Sequence, residues 1–330
     1  MINRKKRLTV DEYVDGVRSG DRVILSRAIT LIESTLQEDV LLSEQVLQEL
    51  LPFTGNSYRI GITGVPGVGK STFIETMGMH VTDLGKKLAV LAIDPSSQRT
   101  KGSILGDKTR MERLSHQPNA YIRPSATGNS LGGVANKTRE TMLLCEAAGY
   151  EVIFIETVGV GQSETAVKGM VDFFLLLMLA GAGDELQGIK KGIMEMADAV
   201  AINKADGDNL AASRKAKVAY QNALHLFPLA ESGWSPKVLT CSAAESTGID
   251  SIWETMTNYF EYMKNHERLI SLRRDQNVHW LHETIGFMLK LGFYQSPEVK
   301  DNIVSLENAV SNEEITPQAA ARKLISLSQH

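Results

Sequence analysis

The sequence predicts an α/β protein with a mostly parallel sheet, helices on both faces of that sheet, and helical extensions at both ends. Two observations carry this prediction. Between residues 58 and 264, short apolar runs alternate with helical patterns, which is typical of a parallel sheet buried on both faces. Outside that stretch the periodicity is helical only. We therefore expect a helical extension at 1–56, an α/β domain at 57–264 and a helical region at 265–330.

Each region has its own signals along the chain. In the first, Thr9 and Glu12 have the spacing of a capping box, in which each side chain accepts from the other residue's backbone N–H. In the second, strands are expected at 58–63, 88–93, 120–123, 151–155, 172–179, 198–202 and 237–241, and helices at 70–84, 107–115, 132–148, 163–170, 188–196, 208–226 and 248–264. In the third, helices are expected at 266–291, at 299–310, and after Thr316-Pro317, an N-cap followed by proline.

Composition excludes several classes of protein. A net charge of −4 over 330 residues does not indicate binding to nucleic acid or to an anionic membrane. The two cysteines, Cys145 and Cys241, lack metal or redox spacing and are expected to be buried thiols in a reducing compartment. The basic N-terminus leads into acidic residues, unlike a secretory signal, and the apolar run 173–180 is too short to cross a bilayer. We expect a cytoplasmic protein.

A glycine-rich turn follows the first predicted strand and matches the phosphate-binding P-loop, G-x-x-x-x-G-K-[ST]. Its residues are Gly64, Val65, Pro66, Gly67, Val68, Gly69, Lys70, Ser71 and Thr72. The glycines let backbone N–H groups converge on a phosphate, and the following helix adds the positive end of its dipole. Lys70 would reach the β- and γ-phosphates, and Ser71 would bind Mg²⁺. The alternative, a turn that binds nothing, is disfavoured by the strand before it and the helix after it.

A second motif, Asn203-Lys204-Ala205-Asp206, follows the predicted strand 198–202 and matches the N-K-x-D motif of GTPases. The Asp206 carboxylate can accept hydrogen bonds from guanine N1–H and its amino group, whereas adenine offers neither donor at those positions. Asn203 would bind the P-loop, and the Lys204 stem would cover the base. Ser242, Ala243 and Ala244 follow the next strand, at the position where GTPases donate a backbone N–H to guanine O6. These motifs predict binding of GTP and GDP rather than ATP.

Acidic residues follow three further strands at the same edge. Glu156 stands where GTPases usually have the aspartate of D-x-x-G, so a longer carboxylate is expected near the metal. Asp94 and Asp107 fit Mg²⁺, which prefers oxygen ligands, although a turn residue and a helix N-cap are the alternatives for them. A glycine-rich segment at 181–192 is either a connector or a third switch loop. His279 and His282 lie at helical spacing without a third ligand nearby, so the helix face alone explains them.

Several of these segments together resemble the MeaB/ArgK family of SIMIBI-class P-loop GTPases. The resemblance extends over the whole chain and is carried by 64–72, 94–97, 102–111 (GSILGDKTRM), 123–124, 131–135, 156–164 (ETVGVGQSE), 181–190 (GAGDELQGIK) and 203–206. Members of this family are chaperones of adenosylcobalamin-dependent methylmalonyl-CoA mutase, and some carry an older label of arginine/ornithine transport ATPase or kinase. The resemblance implies a P-loop GTPase domain at 57–264 and a homodimer formed through 265–330.

The resemblance also implies roles for individual residues. Asp94, Asp107 and Glu156 would surround Mg²⁺ and the γ-phosphate and act in catalysis with Lys70. Three switch loops are implied, at 94–110, 156–166 and about 179–190. In the third, Asp184, Gln187 and Lys190 would transmit the nucleotide state to the mutase, and Lys190 would contribute to activated hydrolysis. The P-loop lacks the extra lysine of related ArsA- and MinD-type ATPases, which argues against a lysine acting in trans.

Three other functions remain open at this point. An ATPase or kinase linked to arginine/ornithine transport is disfavoured by Asp206, and competition between ATP and GDP would distinguish it. A binding module with little turnover is disfavoured by Lys70, Ser71 and the acidic residues. A nickel metallochaperone GTPase of the same class would be expected to carry a His-rich or Cys-containing metal motif, which this sequence does not show.

Overall fold

The computed structural model describes residues 7–93, 111–123, 131–157, 163–181, 191–228, 230 and 232–328. Predictions made for Asp94, Asp107, Asp184, Gln187 and Lys190 therefore lie outside the described residues. The chain divides into two compact units, Met1–Gln276 and Asn277–His330.

The first unit is built on a seven-stranded parallel sheet in the order β3-β2-β4-β1-β5-β6-β7. The strands are β1 (Tyr58–Gly64), β2 (Leu88–Ile93), β3 (Ala120–Arg123), β4 (Val152–Thr157), β5 (Phe173–Leu179), β6 (Ala199–Asn203) and β7 (Lys237–Thr240). All seven predicted strands are confirmed, with ends that differ by at most two residues. The chain leaves β1 toward β2 on one side and later returns to β5 on the other. The turn after β1 therefore lies at a topological switch point, where ligands of such sheets bind.

Helices cover both faces of the sheet. Those with bounds within the first unit are α1 (Val10–Arg18), α2 (Arg22–Glu33), α3 (Gln37–Leu50), α4 (Lys70–Asp83), α5 (Glu112–Ser115), α6 (Leu131–Ala147), α7 (Ser163–Lys168), α8 (Lys191–Met196), α9 (Leu210–Leu224) and α10 (Ile249–Asn265). Side chains of β4 alternate between the layers: Phe154 packs with α4 and α10, whereas Ile153 and Ile155 pack with α1–α3 and α6. The P-loop fold with a parallel sheet and helices on both faces is thus confirmed.

The N-terminal helices are part of this core. Tyr13, Val17, Ile29 and Leu50 are buried in the same apolar cluster as Ile153 of β4. The predicted capping box of α1 is confirmed, since Glu12 N donates to Thr9 Oγ1 at 3.2 Å and Thr9 N donates to the Glu12 carboxylate at 2.7 Å. These helices complete the layer that α6 begins on this face of the sheet.

The C-terminal region is helical, as predicted. Helix α11 spans Arg268–Gln295, and α12 (Pro297–Ser311) and α13 (Pro317–Leu327) follow within the second unit. Thr316 caps α13 through a hydrogen bond from Ala319 N at 3.3 Å, with Pro317 at the first helical position. Among the described residues, no helix combines the length and the apolar character needed to cross a membrane.

Candidate functional site

The P-loop joins the carboxyl end of β1 to the start of α4, and its geometry requires glycine at two positions. A Cβ on Gly64 would lie 2.5 Å from the Leu177 carbonyl oxygen of β5, so no larger residue fits there. Gly69 has φ +88°, in the left-handed region, and a Cβ there would lie 3.2 Å from Asn203 Nδ2. The loop is therefore wedged between β5 and the residue that begins the N-K-x-D motif.

Lys70, the first residue of α4, folds back over this loop. Its Nζ donates to the Gly64 carbonyl at 2.9 Å and lies 3.5 Å from that of Val65. Burial lowers the pKa of Lys70, while the carboxylates of Glu156 and Glu164 act in the opposite direction. The ammonium group thus sits in a partly desolvated position, where its interactions with other charges are stronger than in water.

Glu156 is placed beside the P-loop by the register of the sheet, in which it pairs with Ile62 of β1 and Ala92 of β2. Its side chain is buried, and Ser71 Oγ donates to Glu156 Oε1 at 3.4 Å. Two neighbouring oxygen ligands of an octahedral Mg²⁺ ion lie about 3 Å apart, given metal–oxygen distances of about 2.1 Å. A hydroxyl and a carboxylate at this separation therefore fit that ion. No group of three or more His, Cys, Asp or Glu side chains suited to a metal occurs among the described residues.

The part of the site expected to recognise the base, called the base half below, is formed by the loops after β6 and β7. Asn203 Nδ2 donates to the Val68 carbonyl at 2.8 Å, and its Oδ1 accepts from Ala243 N at 3.0 Å. Lys204 has φ +57°, and its Nζ donates to the Gly67 carbonyl at 2.8 Å. The predicted contact of Asn203 with the P-loop is present, and the stem of Lys204 extends toward the same loop.

Asp206 is oriented by a buried hydroxyl group. Ser242 Oγ donates a hydrogen bond to Asp206 Oδ2 and accepts one from Glu245 N at 3.2 Å. Ala243 and Ala244 lie in the tight turn between Ser242 and Thr247, which pair as an antiparallel bridge. The carboxylate therefore keeps one oxygen bound to the protein, and its position is set before any base arrives.

Two further residues contribute to the site, and one of them, Thr76, was not predicted from sequence. Thr76 Oγ1 of α4 donates to the Ala243 carbonyl at 2.8 Å, tying the base-recognition turn to the P-loop helix. Glu164, which is 2% exposed in α7, is the second carboxylate that acts on the charge of Lys70. A threonine four residues after Thr72 in a helix carries no local pattern that marks it, whereas Glu164 lies in the segment 156–166 expected as a switch loop.

Comparisons with known proteins agree with this geometry. The family model described as methylmalonyl Co-A mutase-associated GTPase MeaB matches residues 25–291. A probable GTPase of Mycobacterium tuberculosis is 50% identical over 97% of this chain and 95% of its own length. A mitochondrial methylmalonic aciduria type A homolog of Mus musculus is 42% identical over 98% of this chain and 80% of its own length.

Among solved structures, the crystal structure of an LAO/AO transport system kinase is 38% identical, covers 99% of both chains and superposes with a TM-score of 0.76. The family match covers most of the chain, and it includes both the P-loop and the N-K-x-D segment. The chain therefore belongs to the MeaB family and is a GTPase.

Proposed function

We propose that this GTPase acts as a chaperone of an adenosylcobalamin-dependent methylmalonyl-CoA mutase, with its nucleotide state governing cofactor loading, protection or reactivation of that enzyme. The observation that carries the proposal is the match over residues 25–291 to a family described as mutase-associated. The similarity to a methylmalonic aciduria type A homolog supports the same partner. A cytoplasmic location is part of this proposal.

Within the site, the proposed roles follow from the contacts of each side chain. Lys70 binds the β- and γ-phosphates, because its partly buried ammonium lies at the start of α4 with the loop amides. Asp206 accepts from guanine N1–H and the amino group with its two carboxylate oxygens, because the oxygen that accepts from Ser242 Oγ keeps a second lone pair. Asn203, Lys204 and the Ser242–Ala244 turn hold the base side to residues Gly67 and Val68 of the P-loop.

Ser71 and Glu156 would hold Mg²⁺ together with Asp94 and Asp107. The ion, when bound, supplies neutralisation of charge that develops on the phosphate oxygens. The chain's own contribution is to orient the oxygen ligands: Glu156 is fixed by β4, and Thr157 Oγ1 donates to Thr63 Oγ1 at 2.7 Å, joining the ends of β4 and β1. Asp184, Gln187 and Lys190 are proposed to form the third switch, which responds to the γ-phosphate and meets the mutase.

A homodimer formed through the C-terminal helices is part of the proposal. The second unit contains an apolar cavity of about 910 Å³ between α12, α13 and the end of α11. Large apolar side chains on α11 are more than two-fifths exposed, namely Val278, Leu281, Ile285, Met288 and Leu289. Such a stripe is typical of an interface. Leu289→Glu should yield a monomer in sedimentation, whereas Leu226→Glu, at an exposed leucine of the first unit, should not.

The test of the mutase proposal is direct. Purified chain is mixed with an adenosylcobalamin-dependent methylmalonyl-CoA mutase, and GTP hydrolysis and complex formation are measured with GDP and with a non-hydrolysable GTP analogue. We expect binding that depends on the nucleotide and a GTPase rate that rises when the mutase is added. Lys70→Ala is the control for contaminating hydrolysis. Absence of both binding and stimulation, with basal GTPase activity intact, would refute the partner but not the enzyme.

The similarity to an LAO/AO transport system kinase raises a second candidate, an ATP-dependent role linked to arginine/ornithine transport. The position of Asp206 disfavours it, because a fixed carboxylate facing the base would be left unpaired by adenine. Equal competition of ATP and GTP for bound GDP would favour the ATP-dependent role over the GTPase switch.

A further inference from the structure

The turn that connects α7 to β5, residues 168–172, is held by side chains of several elements, among them α6, the residue before β6, and α11. From α6, Arg139 NH2 donates to the Gly169 carbonyl at 3.2 Å. From the start of β6, Asp198 pairs with Lys168 Nζ at 2.7 Å and also accepts from Phe174 N at 2.8 Å. This α7–β5 turn lies at the amino ends of the strands, on the edge of the sheet opposite the P-loop.

Helix α11 also contacts this turn. Arg273 forms a fork to the buried Asp172 carboxylate, with Nε and NH2 at 2.8 and 2.7 Å from its two oxygens, and NH2 also donates to the Ser57 carbonyl at 2.6 Å. Gln276 Nε2 donates to the Val171 carbonyl at 2.7 Å and lies 3.5 Å from that of Lys168. The first turns of α11 are therefore attached to this turn by a charged and a neutral side chain.

The other end of α7 reaches the phosphate half of the site, which consists of the P-loop, Lys70, Ser71 and Glu156. Val167 packs against β1, since a Cβ on Gly61 would lie 2.8 Å from its Cγ1. Glu164 lies one turn earlier on the same face of α7, nearer the P-loop, and its charge acts on Lys70. Six helical residues span about 9 Å, so this short helix joins the surroundings of Lys70 to the α7–β5 turn.

One contact in this arrangement is incomplete. Gln276 Oε1 is buried and has no hydrogen-bond partner among the described residues. A buried amide oxygen without a donor is costly, and such groups in native structures call for an explanation. A bound water would satisfy this oxygen, and so would a second arrangement of the turn in which a backbone N–H reaches it.

We propose that the α7–β5 turn is a relay through which the phosphate site and α11 bias each other, with Gln276 and Arg273 as its positioning residues. The γ-phosphate adds negative charge near Lys70, and so changes the electrostatic environment of Glu164 in α7. That difference between GTP and GDP is the differential interaction which any such coupling requires. The proposal rests on the GTPase activity and needs no particular partner protein.

The test compares hydrogen exchange of backbone amides at 168–172 and 268–276 with GDP and with a non-hydrolysable GTP analogue. In the unmodified chain we expect exchange to differ between the two nucleotides. In Gln276→Leu, that difference should shrink, and the ratio of GDP to GTP-analogue affinity should shift by about fivefold, as coupling of this kind is reciprocal. Asn277→Leu, the same change at the exposed neighbouring amide, should behave as the unmodified chain does.

Two results would overturn the relay: exchange at 268–276 that ignores the nucleotide in the unmodified chain, or a nucleotide dependence that survives intact in Gln276→Leu. If that variant fails to fold, Arg273→Lys, which keeps the charge but not the fork to Asp172, takes its place. A contact that merely holds α11 to the sheet would lower thermal stability while leaving the affinity ratio unchanged. The basal GTPase rate, measured alongside, reports separately on the site itself.

Discussion

The base half and the phosphate half of the site are built differently. In the base half, Asn203 and Lys204 bond to carbonyls of the P-loop, and Ser242 bonds to Asp206. In the phosphate half, Lys70 Nζ bonds to the Gly64 carbonyl and is acted on by the charges of Glu156 and Glu164. We therefore expect the base to meet groups already held by hydrogen bonds, and the phosphate to alter a set of charges that already interact.

The largest effect should come from the phosphate half. Lys70→Ala removes the ammonium that faces the phosphates, and we expect GTP hydrolysis to fall by roughly 10³-fold, as when a positioned donor to developing charge is lost. If the two halves are independent, the remaining nucleotide affinity should still favour guanine over adenine. Single-turnover hydrolysis and binding of labelled nucleotides measure the two quantities.

The control is Lys215→Ala, which removes an exposed lysine of α9. A Lys70→Ala protein that kept most of its hydrolysis would contradict the assignment. One that lost its preference for guanine would show instead that the halves are not separable.

The next effect tests the base half alone. Asp206→Asn replaces two hydrogen bonds to a carboxylate, each worth about 1.5–3 kcal/mol, so GTP affinity should fall by roughly 100-fold or more. Because the new amide can donate to an oxygen at C2, xanthosine triphosphate should become the preferred substrate. Hydrolysis at saturating xanthosine triphosphate should approach the unmodified GTPase rate, since Lys70 and Glu156 are untouched.

Asp208→Asn is the matched control, at an exposed aspartate in the next turn. Unchanged base preference in Asp206→Asn would remove the basis for predicting guanine from the sequence.

How much of this could be predicted from sequence differs between the fold and the site. Each strand is marked by an apolar run in the sequence, because the strand is buried on both faces of the sheet. The P-loop is marked by its glycines, because a residue larger than Gly64 would clash with Leu177. Asp206 is marked by its motif in the same way. Thr76 and Gln276 are not, because their partners, Ala243 and Val171, are distant in sequence and accept through backbone carbonyls, which any residue provides. The roles of Asp94, Asp107 and Lys190 stay predictions.

A smaller effect tests how firmly the base half is joined to the P-loop helix. Thr76→Val deletes the donor to the Ala243 carbonyl at nearly constant volume, and we expect GDP and GTP affinities to fall about fivefold together. The hydrolysis rate at saturation should stay within twofold.

The comparison is Thr255→Val. It removes a hydroxyl that bonds to the Ser251 carbonyl of its own helix. A loss of catalysis rather than affinity would mean that Thr76 serves the phosphate half after all.

The smallest expected effect is very slow alkylation of Cys241. This measurement tests whether the loops of the base half stay closed in solution. Cys241 Sγ lies 3.6 Å from Asn203 Oδ1, and burial raises the pKa of Cys241 from 9.0 to about 12. At pH 8 only about one thiol in 10⁴ would be ionised, so alkylation should be very slow. Because pH 8 lies below the pKa of this thiol in the unfolded chain, deprotonation does not yet favour unfolding. Above pH 9 it would, because the unfolded chain then binds fewer protons than the folded chain.

Mass spectrometry after iodoacetamide treatment measures the reaction, with Cys145, buried in the opposite layer, as the internal reference for global unfolding. Equal, slow labelling of both thiols would mean that each reacts only when the whole unit unfolds. Faster labelling of Cys241, suppressed by GDP, would show that the loops after β6 and β7 open locally. In that case nucleotide binding would also order part of the base half. The two halves would then differ only in how far they are ordered before the nucleotide binds.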